Sequence, residues 1–101
     1  MDAAYYARQA TESRVCGELA RQIANRIAEL GLMQAQAARR MGASPSHVSK
    51  IVNGRFWGYS ADRMIAFLTA LGVDVQIVIR PPKPASRRRR GVLSFREMAS
   101  R

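Results

Sequence analysis

Ser44, Ser46, His47 and Ser49 crowd four hydroxyl or imidazole groups into six positions, the raw material for a serine nucleophile with a histidine base. Such a pair needs a further group, usually an acid, to orient the ring, and none lies near it in the sequence. His47 is the one histidine and Cys16 the one cysteine, so zinc ligation and disulfide stapling both lack partners. Catalysis is therefore excluded from the reading, and no cofactor or metal is expected.

The remaining chemistry is charge. The 101 residues carry 17 Lys plus Arg against 7 Asp plus Glu, a formal charge of +10. From Arg80 to Arg101 there are eight basic residues and one acid, Glu97, so +7 of the total sits in a C-terminal tail. A basic tail by itself implies only affinity for polyanions. An apolar fraction of 48% suits a small helical core. No run approaches the roughly 18 apolar residues of a membrane span, and the first residues lack a signal-peptide layout, so a cytoplasmic protein without membrane contact is expected.

The elements that must hold these groups follow from periodicity. Val15, Leu19, Ile23, Ile27 and Leu30 form one helical stripe, which Gly31 stops. A second helix is expected from Gln34 to Met41, closed by Gly42. Ser44 followed by Pro45 is a strong helix start, because the hydroxyl accepts from free backbone N–H groups and the ring fits the first turn. That third helix ends near Gly54. Ser60 opens a fourth, with Met64, Ile65, Phe67, Leu68 and Leu71 on its apolar face. After Gly72 the period changes to two: Val73, Val75, Ile77 and Ile79 alternate with less apolar neighbours until Pro81, the pattern of a strand. A lone strand leaves its N–H and C=O groups unpaired, so a homodimer is expected in which this strand pairs with its copy across a two-fold axis. The chain thus divides into an N-terminal arm (residues 1–12), a helical domain with its dimerisation strand (13–80) and a basic, disordered tail (81–101).

Within the domain, residues 34–53 have the spacing of a helix-turn-helix. Ala38 is small where two helices cross, Gly42 lies at the turn, and Ala37, Met41, Ala43, Val48 and Ile51 are apolar where the helices face each other. The run from Leu32 to Arg55 resembles the Cro/repressor-like (XRE) helix-turn-helix family. Its continuation through Ser60-Ala61-Asp62-Arg63-Met64 and Leu71-Gly72-Val73-Asp74-Val75 looks like the HigA-type antitoxin branch. The resemblance implies a mainly α, compact four- to five-helix lambda-repressor-like domain followed by one β-strand that pairs across a dimer. It also implies a palindromic double-stranded DNA operator and, often, a RelE/HigB-type toxin as partner. Met33 departs from the family, which places Thr or Ser there as an N-cap; the expected penalty is about 1 kcal/mol.

In that geometry the third helix enters the major groove. The family pattern puts Pro45, Ser46, Ser49 and Lys50 towards the bases, with Lys50 reaching guanine O6 or N7 or, alternatively, a phosphate. Gln34, Ser44, His47, Asn53 and Arg55 are the expected phosphate ligands, whereas Arg39 and Arg40 read first as a solvated face. Phe56 and Tyr59 are expected on the fourth helix. The function implied is a sequence-specific repressor, as the autoregulating antitoxin of a toxin–antitoxin pair. The alternatives are a stand-alone phage or plasmid regulator, or a toxin-masking protein with secondary DNA binding.

Overall fold

The computed structural model describes residues 3–82 and 90–98; residues 83–89 and 99–101, about half of the tail expected to be disordered, lie outside the described residues. Four helices follow one another: α1 (Ala3–Leu30), α2 (Gln34–Met41), α3 (Pro45–Val52) and α4 (Ala61–Ala70).

Their ends are set by local chemistry. Ser44 Oγ accepts from the His47 amide at 3.2 Å and Ser60 Oγ from the Arg63 amide at 3.4 Å, so α3 and α4 begin where hydroxyls satisfy free donors. At the end of α1, Gly31 adopts φ 63°; its amide bonds to the Ala28 carbonyl and that of Leu32 to the Ile27 carbonyl. This left-handed closure folds Leu32 back onto the core. Gly42 (φ 68°) closes α2 in the same way, with the Ala43 amide on the Ala38 carbonyl, which makes the turn into α3 only a few residues long.

α1 packs on α4 and α3, and α2 on α3 and α4. The core is built from Cys16, Leu19, Ile23 and Ile27 of α1, Ala37, Ala38 and Met41 of α2, Val48 and Ile51 of α3, and Met64, Phe67, Leu68 and Leu71. None of the described buried residues is polar or charged. Burying each large apolar side chain stabilises by about 1.5–3 kcal/mol, and this term, not helix propensity, holds helices as short as α2 and α3.

The structure departs from the sequence reading at both ends of the domain. The arm expected over residues 1–12 is helical from Ala3 onward, so α1 has 28 residues. Residues 3–14 contain neither Gly nor Pro, and once the buried half of α1 has nucleated, each added residue gains a backbone hydrogen bond without a new nucleation cost. At the other end, residues 73–80 are in neither helix nor strand, and no strand occurs among the described residues. Val73 and Val75 still alternate inward onto the core, while Ile77 and Ile79 are 77% and 89% exposed. The alternation therefore survives where the core offers a surface and stops where it ends; a strand ladder requires a second strand.

Candidate nucleic-acid interface

α2 and α3 form a helical hairpin whose inner side is Ala37, Ala38, Met41, Val48 and Ile51, all buried. Ala38, 2% exposed, has the small side chain that lets the two backbones approach. Burying Val48 and Ile51 fixes the rotation of α3. Ser46, Ser49, Lys50 and Asn53, spaced i, i+3, i+4, i+7, then share the opposite face. Ser44, Pro45, Ser46, Lys50, Asn53 and Arg55 are exposed, and Ser49 is half-buried at the edge of that face. Residues 33–59 include Arg39, Arg40, Lys50 and Arg55 and no acid, so nothing on the hairpin opposes an approaching polyanion.

The individual groups are engaged differently. The Ser44 hydroxyl, by accepting from the His47 amide, keeps its own proton to donate outward. Gln34, at the first position of α2, is exposed. Gln36 is occupied, because its Oε1 accepts from the Met33 amide at 2.9 Å. The Asn53 side-chain amide donates to the Ser49 carbonyl at 2.8 Å and to the Ser49 hydroxyl at 3.5 Å, which secures the end of α3. The Arg55 amide bonds to the Lys50 carbonyl at 2.7 Å, folding the loop after α3 back over its last turn. Lys50 and Arg55 thereby present two cations at one end of α3.

His47 is half-buried, its ring set edge-on to Tyr59 with centroids 5.7 Å apart. Its Nδ1 is buried without a hydrogen-bond partner, so only the other ring nitrogen remains to meet a phosphate. The ring also supports the loop between α3 and α4. Tyr59 packs towards α4, its ring 6.5 Å from Phe67, as expected, and Arg63 lies over both rings. Phe56 differs from expectation. It lies against α1 beside Gly17, with Phe56 Cζ 3.4 Å from the position a Cβ would take, an ordinary contact distance. Trp57 stacks on Phe56 and is 80% exposed. Cys16 is buried, and its thiol donates to the Tyr59 carbonyl at 3.4 Å; desolvation, reinforced by Glu12, raises its pKa and keeps it protonated.

Sequence reasoning missed the contact between residues 90–98 and α1. The Arg14 guanidinium donates to the Leu93 carbonyl at 3.1 Å and lies 5.9 Å from the Phe95 ring centre. Arg21 pairs with Glu97 at 2.8 Å, and Gln22 donates to the same carboxylate. Two signals in the sequence mark this segment: Glu97 is the single acid of the tail, and Val92, Leu93, Phe95 and Met98 make residues 91–99 a short amphipathic stretch suited to ordering on a partner surface.

No helix among the described residues is long and apolar enough to cross a membrane. A helix-turn-helix domain family matches residues 6–80, about three quarters of the chain. A solved structure described as an XRE-family transcriptional regulator is 37% identical, with a TM-score of 0.71, and the match covers 86% of this chain and 99% of that one. No curated protein matches the chain. The buried hairpin, the acid-free polar face of α3 and these two likenesses agree: the chain belongs to the XRE family of helix-turn-helix, DNA-binding transcriptional regulators.

Proposed function

We propose that this protein is a dimeric, sequence-specific repressor that binds a palindromic operator and performs no chemistry on it. The observation that carries this reading is the outer face of α3, where Ser46, Ser49 and Lys50 stand between the capped start at Ser44 and the cation of Arg55. Lys50 donates to guanine O6 or N7, Ser46 and Ser49 accept or donate at neighbouring base edges, and Pro45 sets the helix entry. Gln34, Ser44, His47, Asn53 and Arg55 bind phosphates and fix the register. Short serines read bases weakly, so shape and deformability of the operator contribute part of the specificity.

The dimer is built through residues 73–80. Ile77, Val78 and Ile79 are 77%, 62% and 89% exposed, an apolar run that a second copy would cover while pairing the backbone as an antiparallel strand. Two α3 helices then meet half-sites about one helical turn, roughly 34 Å, apart. The resemblance of residues 60–75 to the HigA-type branch makes an antitoxin of a RelE/HigB-type toxin, autoregulating its operon in the bacterial cytoplasm and nucleoid, the specific role; a stand-alone regulator is the alternative.

Selection of bound duplexes from a random pool tests the reading: a two-fold-symmetric motif is expected, and absence of any motif refutes it. Lys50→Ala should lose about 1–3 kcal/mol of binding at one motif position; an equal loss on every sequence makes Lys50 a phosphate ligand. Sedimentation as a monomer at micromolar concentration refutes the dimer. Co-purification with the product of a neighbouring reading frame separates antitoxin from stand-alone regulator.

A further inference from the structure

His47 is the one histidine of the chain, and its two ring nitrogens meet different surroundings. Nδ1 is buried and has no hydrogen-bond partner, although the residue as a whole is only half-buried, with its ring edge-on to Tyr59. Nε2 is not enclosed in this way and meets solvent. His47 lies in the first turn of α3, three residues before Lys50, so the two side chains share one flank of the helix. The open nitrogen therefore stands at the border of the face that carries Ser46, Ser49 and Lys50.

This asymmetry bears on where the ring carries its proton. A neutral imidazole has one N–H and one bare nitrogen, whereas an imidazolium has two N–H groups. Orphaned N–H groups are the rarest of buried unpaired groups, so the proton of the neutral ring belongs on Nε2. An imidazolium would bury a second N–H without an acceptor, together with part of a full charge. Nothing around the ring offsets that cost. The charged groups on α2, α3 and the following loop are Arg39, Arg40, Lys50 and Arg55, all cations, and Arg63 of α4 lies over the Tyr59 ring. The acids of the neighbouring elements are turned to other groups. Glu12 of α1 acts on the Cys16 thiol, and Asp62 of α4 is engaged by the Ser60 hydroxyl and the amides of residues 62 and 63.

We propose that His47 binds the DNA backbone as a neutral donor, with Nε2–H on a phosphate oxygen and Nδ1 bare and covered, taking up no proton and contributing no charge. This rests on DNA binding through α3. The contact differs in kind from those of Lys50 and Arg55, because a cation on a phosphate releases a counterion and a neutral N–H does not. His47 then fixes the position of α3 without adding to the sequence-independent attraction of a chain that already carries +10.

Because the chain has a single histidine, nitrogen-15 spectra of the ring read its state without ambiguity. Near pH 7, in the free protein and in complex with the tightest duplex selected from the random pool, Nε2 should be protonated and Nδ1 bare. A proton on Nδ1 in either state overturns the proposal, and this measurement uses the wild-type chain, whose folding no substitution disturbs. Affinity for the same duplex gives a second reading. Glutamine carries its N–H at the reach of Nε2 and asparagine at that of Nδ1. His47→Gln should therefore keep affinity within about threefold, while His47→Asn and His47→Ala lose about three- to tenfold. All three should keep the wild-type slope of log K against log salt, whereas Arg55→Ala should reduce it by about 1. Wild-type affinity in His47→Ala shows a ring that never meets the phosphate. A reduced slope in the same variant shows a charged contact, and rescue by asparagine in place of glutamine shows the wrong nitrogen; each of these overturns the proposal. If no duplex is selected at all, the DNA-binding reading fails and takes this one with it.

Discussion

Met33 offers the most direct test of how local chemistry builds this interface. It occupies the N-cap of α2 with φ −73° and ψ 159°, the extended conformation that cap residues adopt, yet its side chain makes no capping hydrogen bond. Half of a capping box already exists, since Gln36 Oε1 accepts from the Met33 amide at 2.9 Å. Met33 is 68% exposed, so its replacement gives up little packing. Met33→Ser therefore supplies the missing acceptor to the Gln36 amide without moving the backbone. Comparable caps contribute about 1 kcal/mol. For a folded unit of this size that is a rise in Tm of roughly 4–8 °C, or an increase in urea midpoint at constant m-value. Thermal and urea unfolding followed by circular dichroism, at one protein concentration because the proposed dimer makes the midpoint concentration-dependent, measures it. Met33→Ala controls for loss of the thioether, and Gln36→Ala tests whether the two halves of the box cooperate. If Met33→Ser is no more stable than Met33→Ala, the N-terminus of α2 is not limited by an absent cap and the reasoning fails.

Two glycines should respond to alanine with opposite signs in the same unfolding assay. Gly42→Ala meets no atom within 4 Å but must hold φ 68°, a destabilisation of roughly 1–2 kcal/mol; Gly17→Ala lies inside α1 at ordinary contact with Phe56 and should stabilise by about 0.5–1 kcal/mol. Ile51→Ala, at a site 1% exposed, should lose about 2–5 kcal/mol and loosen α3 against α2, visible as faster amide exchange in α3. Acidification should release the C-terminal segment. The Arg21 guanidinium, with Gln22, holds the Glu97 and Glu18 carboxyls below their ordinary value of 4.5. Their contribution is complete above that value and is lost as pH falls through the lowered folded values. Exchange of residues 93–97 should therefore accelerate below about pH 4.5 in the wild type and lose that dependence in Arg21→Ala.

The sequence by itself determined the elements whose ends are written locally. Ser44 with Pro45, Ser60, and the glycines at 31, 42, 54 and 72 set helix limits through contacts spanning three to five residues, which is why α2, α3 and α4 were legible. The face of α3 was legible for the same reason, since burying Val48 and Ile51 leaves only one side for Ser46, Ser49 and Lys50. Tertiary structure decided what depends on distant partners. The first turns of α1 have no apolar stripe of their own and follow a helix nucleated by its buried half. Phe56 packs against α1 beside Gly17, 39 positions earlier. His47 is half-buried because Tyr59 lies beside it. Residues 90–98 settle on α1 through pairs 75 to 79 positions apart, a separation over which no periodic pattern carries information. Residues 73–80 show the limit most plainly: alternation specifies which side chains share a face, but a strand also needs hydrogen-bonding partners, and those belong to another stretch of chain.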